Sequence, residues 1–70
     1  MANLGYYIGI VIDENANGLC LIRIVKRIRE LFESERKRFF LHVVVDVKRI
    51  LDEFLEDQIV RKEDNRYLNV

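Results

Sequence analysis

The chain has a single cysteine, Cys20, and a single histidine, His42, and this scarcity constrains its fold more than any other feature. A chain of 70 residues buries only about 60% of the surface that it exposes when unfolded, so its stability is marginal without further help. An intramolecular disulfide or a Cys/His zinc site would supply that help, but these residues can form neither. Half of the residues are apolar, and a second protein chain is then the expected source of additional burial.

Short apolar runs rich in β-branched and aromatic residues predict three strands. They cover residues 6–13, 19–25 and 39–45. Asn17-Gly18 lies between the first two runs and predicts a hairpin, because both residues tolerate a positive φ.

Two amphipathic segments predict helices, over about 26–38 and from Asp46, as N-cap, to about residue 62. The apolar stripe of the second helix is Val47, Ile50, Leu51, Phe54, Leu55 and Ile59. The chain is therefore predicted to be α+β, with the order ββαβα and two helices on one face of a three-stranded sheet. If residues 19–38 form one long helix instead, the order becomes βαα or βαβα. We expect a single domain over 1–62 and a polar C-terminal tail over 63–70.

The two faces of the predicted sheet are both too apolar for one of them to face water. The uniformly apolar side, assigned to the core, holds Ile8, Ile10, Ile12, Cys20, Ile22, Ile24, Phe39, Leu41, Val43 and Val45. The candidate interface residues on the other side are Tyr7, Val11, Leu19, Leu21, Arg23, Phe40, His42 and Val44. We therefore expect a small non-enzymatic interaction domain that forms a homodimer, or binds another protein, through this second face. A hydrophobic small ligand on the same face is an alternative.

Basic residues are concentrated in the middle of the chain and predict a second alternative, a small nucleic-acid-binding regulator. Residues 23–49 carry nine bases and four acids, although the whole chain has a net charge of zero. The candidate phosphate contacts are Arg36, Lys37, Arg38, Lys48 and Arg49. Structural roles compete with this interpretation, because cations favour helix C-termini and Lys48 and Arg49 stand four residues before acids.

The segment from Asp13 to Gly18 matches the first half of a calcium loop, with Asp13, Asn15 and Asn17 followed by Gly18. Ile24 occupies the twelfth position, where calcium loops need a bidentate Glu, so a solvated turn is the expectation. The sequence predicts no metal site. It predicts no cofactor either, since its glycines match no phosphate-loop spacing. No nucleophile–base pair or carboxylate dyad can be placed, so we expect no enzyme activity.

The apolar runs are all far shorter than the roughly 20 residues of a membrane-spanning helix, so no membrane partner is expected. A lone cysteine and the absence of an export signal predict an intracellular, cytoplasmic location. Many charges with a single Gln are typical of thermophilic proteins.

Overall fold

The computed structural model describes residues 3–70, which form three helices and a three-stranded antiparallel sheet. In chain order the elements are α1 (Leu4–Asp13), β1 (Leu19–Cys20), α2 (Leu21–Ser34), α3 (Leu41–Glu56), β2 (Val60–Glu63) and β3 (Arg66–Asn69). The α+β class and the three-stranded sheet are confirmed. The predicted order ββαβα is wrong, because residues 6–13 and most of 39–45 are helical. Met1 and Ala2, part of the predicted domain, lie outside the described residues.

The first helix, α1, forms because its large apolar residues recur with the helical period. Tyr7, Ile8, Val11 and Ile12 follow the spacing i, i+1, i+4, i+5, and all four are buried. A strand would place Tyr7 and Ile8 on opposite faces, whereas the helix buries both on one side. The Asn3 side chain caps the helix by accepting a hydrogen bond from the Gly5 N–H at 3.0 Å.

The next two helices complete the core, each with one buried residue per turn. These residues are Ile24, Ile28 and Phe32 of α2, and Val43, Val47 and Leu51 of α3. The predicted helix over 26–38 is therefore real but begins earlier, at Leu21, and ends at Ser34. Of the predicted strand over 19–25, only Leu19 and Cys20 are extended.

The helix α3 starts five residues before the predicted Asp46 N-cap, at Leu41, and Phe40 is the N-cap residue. It includes the β-branched run Val43–Val45, although such residues cost up to roughly 0.7 kcal/mol each in a helix. Burying Val43 and Val47 against α1 and α2 contributes about 1.5–3 kcal/mol for each fully buried side chain. Packing therefore outweighs the intrinsic preference for a strand.

The connection between α2 and α3 begins with a backbone motif that stops the first helix. Arg36 adopts a left-handed conformation with φ of 58°. Its N–H donates to the Glu33 carbonyl at 3.1 Å, and the Lys37 N–H donates to the Phe32 carbonyl at 2.8 Å. This pair of bonds is the Schellman motif, in which glycine usually takes the place of Arg36. The chain leaves α2 at a defined angle, and residues 35–40 lead directly into α3.

The sheet has the order β1-β3-β2, so its central strand comes from the end of the chain. β2 and β3 form a hairpin with Glu63 opposite Arg66. Asp64 and Asn65 form its two-residue turn with φ of 50° and 65°, which suits a type I′ hairpin. Residues 63–70, predicted as a polar tail, thus contain the central strand, and its Tyr67 is buried in the core.

The hairpin predicted at Asn17-Gly18 does not form, because this segment links α1 to β1. Gly18 has φ of 85°, and a Cβ there would lie 2.7 Å from Leu68 Cγ. Glycine is required at this position by both its backbone conformation and the close approach of β3.

Candidate nucleic-acid interface

The eight residues predicted to share one sheet face do not share one surface, because they lie on three different helices, on β1 and, for Phe40, just before α3. Tyr7 and Val11 are buried in the core on α1. Three of the others are half-buried, namely Leu19, Leu21 and Val44, and three are exposed, namely Arg23, Phe40 and His42. The Phe40 and His42 rings stack with centroids 5.5 Å apart at the start of α3. The prediction of this surface is wrong because residues that alternate along a strand diverge around a helix.

Lys37, one of the predicted phosphate contacts, is held within the fold by a side-chain network. The Tyr7 hydroxyl donates to Glu35 Oε1 at 2.5 Å, and Lys37 Nζ donates to the same hydroxyl and pairs with Glu35 at 3.0 Å. The hydrogen bond from Tyr7, and then the one from Lys37, lowers the pKa of Glu35. The hydrogen bond to Tyr7, and then the one to Glu35, raises the pKa of Lys37. Lys37 therefore ties the segment after α2 to α1.

Lys48 and Arg49 of α3 form the two ion pairs that their spacing predicts. Lys48 Nζ lies 2.6 Å from Asp52 Oδ1, and Arg49 lies 2.9 Å from Glu53 Oε1. The hydrogen bond to Asp52 raises the pKa of Lys48. All four side chains are about half exposed, and exposed pairs of this kind contribute at most about 1 kcal/mol. Both cations can therefore exchange their carboxylates for a phosphate group at little cost.

Arg36 and Arg38 are the predicted phosphate contacts that hold no carboxylate partner. Both are exposed, and no acidic group within residues 3–70 lies within 4.0 Å of either guanidinium. They lie in the connection that ends at α3, so they precede its first residue by five and three positions. Two unpaired cations thus border the N-terminus of α3.

Two adjoining grooves connect α3 with the start of α2 and with the β2–β3 hairpin. A groove of about 610 Å3 runs between Leu21 and the outer side of α3, where Val44, Val45 and Lys48 line it together with Arg49 and the acids Asp52, Glu53 and Glu56. A smaller groove of about 300 Å3 shares Leu21 and Lys48 and is also lined by Ile22 and by Lys62 of the hairpin. We call the groove surface the set of Leu21, Ile22, Val44, Val45, Lys48 and Lys62. α3 and the hairpin therefore present side chains to one concave surface.

The groove surface and the adjoining turn of α3 expose large apolar side chains. Ile22 is 79% exposed, Val45 is 66% exposed, and Leu41, one turn before Val45 on α3, is 83% exposed. The sequence-based prediction assigned all three to the core, because they fall on the uniformly apolar side of the predicted strands. The helical period would have found them, since Leu41 and Val45 lie two positions from the buried residues Val43 and Val47.

The segment from Asp13 to Gly18 is a structural turn in this fold. The Asn15 side-chain amide donates to the Val11 carbonyl at 2.9 Å, and the Asn69 amide donates to Asp13. Ile24, at the position of the missing calcium ligand, is buried in the core. Among residues 3–70 no group of three or more His, Cys, Asp or Glu side chains is placed to hold a metal ion.

No helix in the described part of the chain is both long and apolar enough to cross a membrane. No family model, no curated protein and no solved structure matches this chain. Its function therefore has to be inferred from the arrangement of its residues.

Proposed function

We propose that this chain is a non-enzymatic DNA-binding domain that places α3 in the major groove of a duplex and the β2–β3 hairpin against the phosphate backbone. α2, residues 35–40 and α3 have the element order of a helix-turn-helix, with a longer connection than the usual one of about three or four residues. The second helix of that motif enters the major groove in DNA-binding proteins. The hairpin that follows α3, with β1 as the third strand, corresponds to the winged form of this architecture. Because many functions occur on one fold, the surface must support the proposal as well.

The observation that carries the proposal is the shared groove of α3 and the hairpin. Lys48 of α3 and Lys62 of β2 line the same groove, so one duplex can contact both elements at once. Arg36 and Arg38 add unpaired cations at the N-terminus of α3. Phosphate contacts of this kind position a protein on DNA without reading its sequence.

The distribution of charge along α3 supports a defined orientation on the duplex. Residues 36–49 carry five bases and one acid, whereas residues 50–57 carry four acids and no base. Three of these bases, Arg36, Lys37 and Arg38, precede α3, so the attraction to phosphates lies at the N-terminal end of the helix and the repulsion lies in its last two turns. In helix-turn-helix proteins the N-terminal residues of the second helix contact the base edges, which agrees with this polarity.

Double-stranded DNA fits this surface better than double-stranded RNA. The major groove of B-form DNA is about 12 Å wide and admits a helix. The major groove of A-form RNA is too narrow and deep for side chains on a helix to read. A duplex RNA of the same length is therefore the natural competitor in a binding experiment, and we expect weaker binding to it.

The test is a titration of a fluorescent DNA duplex at several salt concentrations between about 50 and 200 mM. If Arg36, Arg38, Lys48 and Lys62 contact phosphates, log K should fall with log salt with a slope of about −3 to −4. Arg38→Gln and Arg36→Gly should each reduce the slope by about 1. Glycine suits the left-handed backbone of residue 36, so the second variant removes the charge while keeping the fold.

A matched control is Arg29→Gln, which removes an exposed cation from α2 outside the grooves. Arg29 pairs with Glu33 at 3.3 Å, and its loss should leave the slope unchanged. The absence of binding to any duplex at the lowest salt would contradict the proposed function.

Self-association is a second candidate function, and the exposure of Ile22, Leu41 and Val45 favours it. A homodimer would use this apolar surface instead of the predicted sheet face, and it would cover the same side of α3 that we assign to DNA. Light scattering over a concentration series distinguishes the two, because a dimer mass that Val45→Glu abolishes would assign the surface to a second copy of the chain. The alternative of a hydrophobic small ligand, made for the second face of the predicted sheet, stays a prediction.

A further inference from the structure

The exposed side chains at the start of α3 are apolar where a sequence-reading helix usually has polar groups. Leu41 and Val45 are among the most exposed apolar side chains of residues 3–70. Val44 lies beside Val45 and lines the same groove. An apolar side chain that the core does not bury gains free energy only if a ligand covers it. The ligand of this half of α3 therefore has to present an apolar group of its own.

The polar side chains on the outer side of α3 are poorly suited to reading bases. Bidentate recognition of guanine needs Arg or Lys, and that of adenine needs Asn or Gln. No Asn or Gln occurs between residues 18 and 57. Lys48 and Arg49 pair with Asp52 and Glu53, so each has to leave its carboxylate before it can contact guanine. Within residues 41–47 of α3, His42, stacked on Phe40, is the one side chain that can offer a base a hydrogen bond without an ion pair to break.

Thymine is the base that presents an apolar group in the major groove. Its C5-methyl group projects there and is contacted by apolar side chains in protein–DNA complexes. We infer that Leu41, Val44 and Val45 form an apolar contact surface for thymine methyl groups, so that α3 favours A·T-containing sites. This inference rests on the proposed function, because it requires α3 to lie in the major groove.

The unpaired cations that precede this apolar surface favour DNA over a protein partner. Arg36 and Arg38 precede it and Lys48 and Arg49 follow it, while the only acid between residues 36 and 49 is Asp46. Asp46 lies 3.8 Å from Arg49, which offsets its charge. On the other side Lys48 and Arg49 are paired with Asp52 and Glu53, and Glu56 lines the same groove. The unpaired positive charge therefore lies at Arg36 and Arg38, where it complements the phosphates on the rim of a groove that has methyl groups on its floor.

The experiment compares duplexes that differ only in the C5-methyl group. An alternating A·T duplex is compared with the same duplex containing deoxyuridine, which pairs like thymine but lacks the methyl. An alternating G·C duplex is compared with its 5-methylcytosine form, which places a methyl at the corresponding position of the other pyrimidine. We expect the methylated member of each pair to bind about fourfold more tightly for each methyl group that is covered.

Two substitutions that shorten exposed apolar side chains of α3 test whether the preference for thymine arises from this helix. Val45→Ala should reduce the preference for thymine over uracil, and Leu41→Ala should reduce it further. Val70→Ala makes the same change at an exposed valine at the end of the described chain and should leave the preference intact. All three side chains are exposed, so the variants should fold and keep the salt-dependent part of binding.

The outcomes separate the inference from the function on which it rests. Salt-dependent binding that is equal for thymine and uracil duplexes would overturn the methyl contact and leave DNA binding in place. No binding to any duplex at low salt would overturn both. A Val45→Ala variant that changes the solution mass while keeping the thymine preference would assign the apolar surface to self-association and also overturn the inference.

Discussion

Two apolar segments of this chain look alike in sequence and have opposite fates in the structure. Residues 6–13 form most of α1, where four large side chains are buried. Residues 39–45 lead into α3, where Val43 is buried but Leu41 and Val45 face outward. Both segments are rich in β-branched and aromatic residues, and both become helical. The comparison shows that apolar composition does not decide whether the side chains of a segment are buried or exposed; their placement on the helix does.

The largest expected effect is a difference in the free energy of unfolding between a variant of the first segment and a variant of the second. Ile8→Ala removes a fully buried side chain from α1 and should lower the free energy of unfolding by about 2–5 kcal/mol. Leu41→Ala removes an exposed side chain of similar size from α3 and should change it by no more than about 0.5 kcal/mol. Urea unfolding monitored by circular dichroism measures both. Similar losses for the two variants would mean that the start of α3 belongs to the core.

A smaller effect on stability is expected from removing the hydroxyl group of Tyr7 in α1. Tyr7→Phe removes the hydroxyl that holds Glu35 and Lys37, so it should destabilise the fold by less than Ile8→Ala. The pKa of Glu35 is lowered in the folded state, so its contribution is present above the ordinary carboxylate pKa and is lost as the pH falls. The pKa of Lys37 is raised, so its contribution is present at neutral pH and is lost in strong alkali.

The measurement for this network is the free energy of unfolding as a function of pH. The native chain should lose stability between neutral and acidic pH partly through Glu35, and Tyr7→Phe should flatten that part of the curve. Glu56→Gln serves as a control, because Glu56 is exposed and forms no ion pair within residues 3–70. A Tyr7→Phe curve parallel to that of the native chain would show that the network does not couple to folding.

The sequence predicted the class of fold and parts of the core, but not the order of elements. The stripe of α3 was recognised over Val47 and Leu51, both of which are buried. Residues 6–13 were misassigned because a short apolar run fits a buried strand and a buried helix equally well. Val43–Val45 added to the error, since their β-propensity is real and only tertiary packing overrides it.

The β2–β3 hairpin was missed because its outer strand carries almost no apolar signal. Arg61, Lys62 and Glu63 are all exposed, so β2 resembles a solvated tail in sequence. Asp64-Asn65 was the available clue, because both residue types tolerate the positive φ of a type I′ turn. The stronger turn signal at Asn17-Gly18 diverted the hairpin prediction to the wrong place.

The ion pairs of the candidate site could be predicted from the sequence, but the shape of its groove could not. The pairs Lys48–Asp52 and Arg49–Glu53 follow from helical spacing alone, and both form. The groove between α3 and the hairpin depends on β3 being the central strand, which brings Lys62 close to α3. The groove brings together residues from separate elements of the chain, so no local sequence pattern could indicate it.

The most direct test of the central claim is an NMR titration of the labelled chain with a DNA duplex at low salt. We predict that amide shifts change most for residues 36–49 of the turn and α3 and for residues 61–66 of the hairpin. Residues 4–13 of α1, the other apolar segment, should change little. Changes concentrated in α1, or no changes at saturating duplex, would contradict the assignment of the outer side of α3 to DNA.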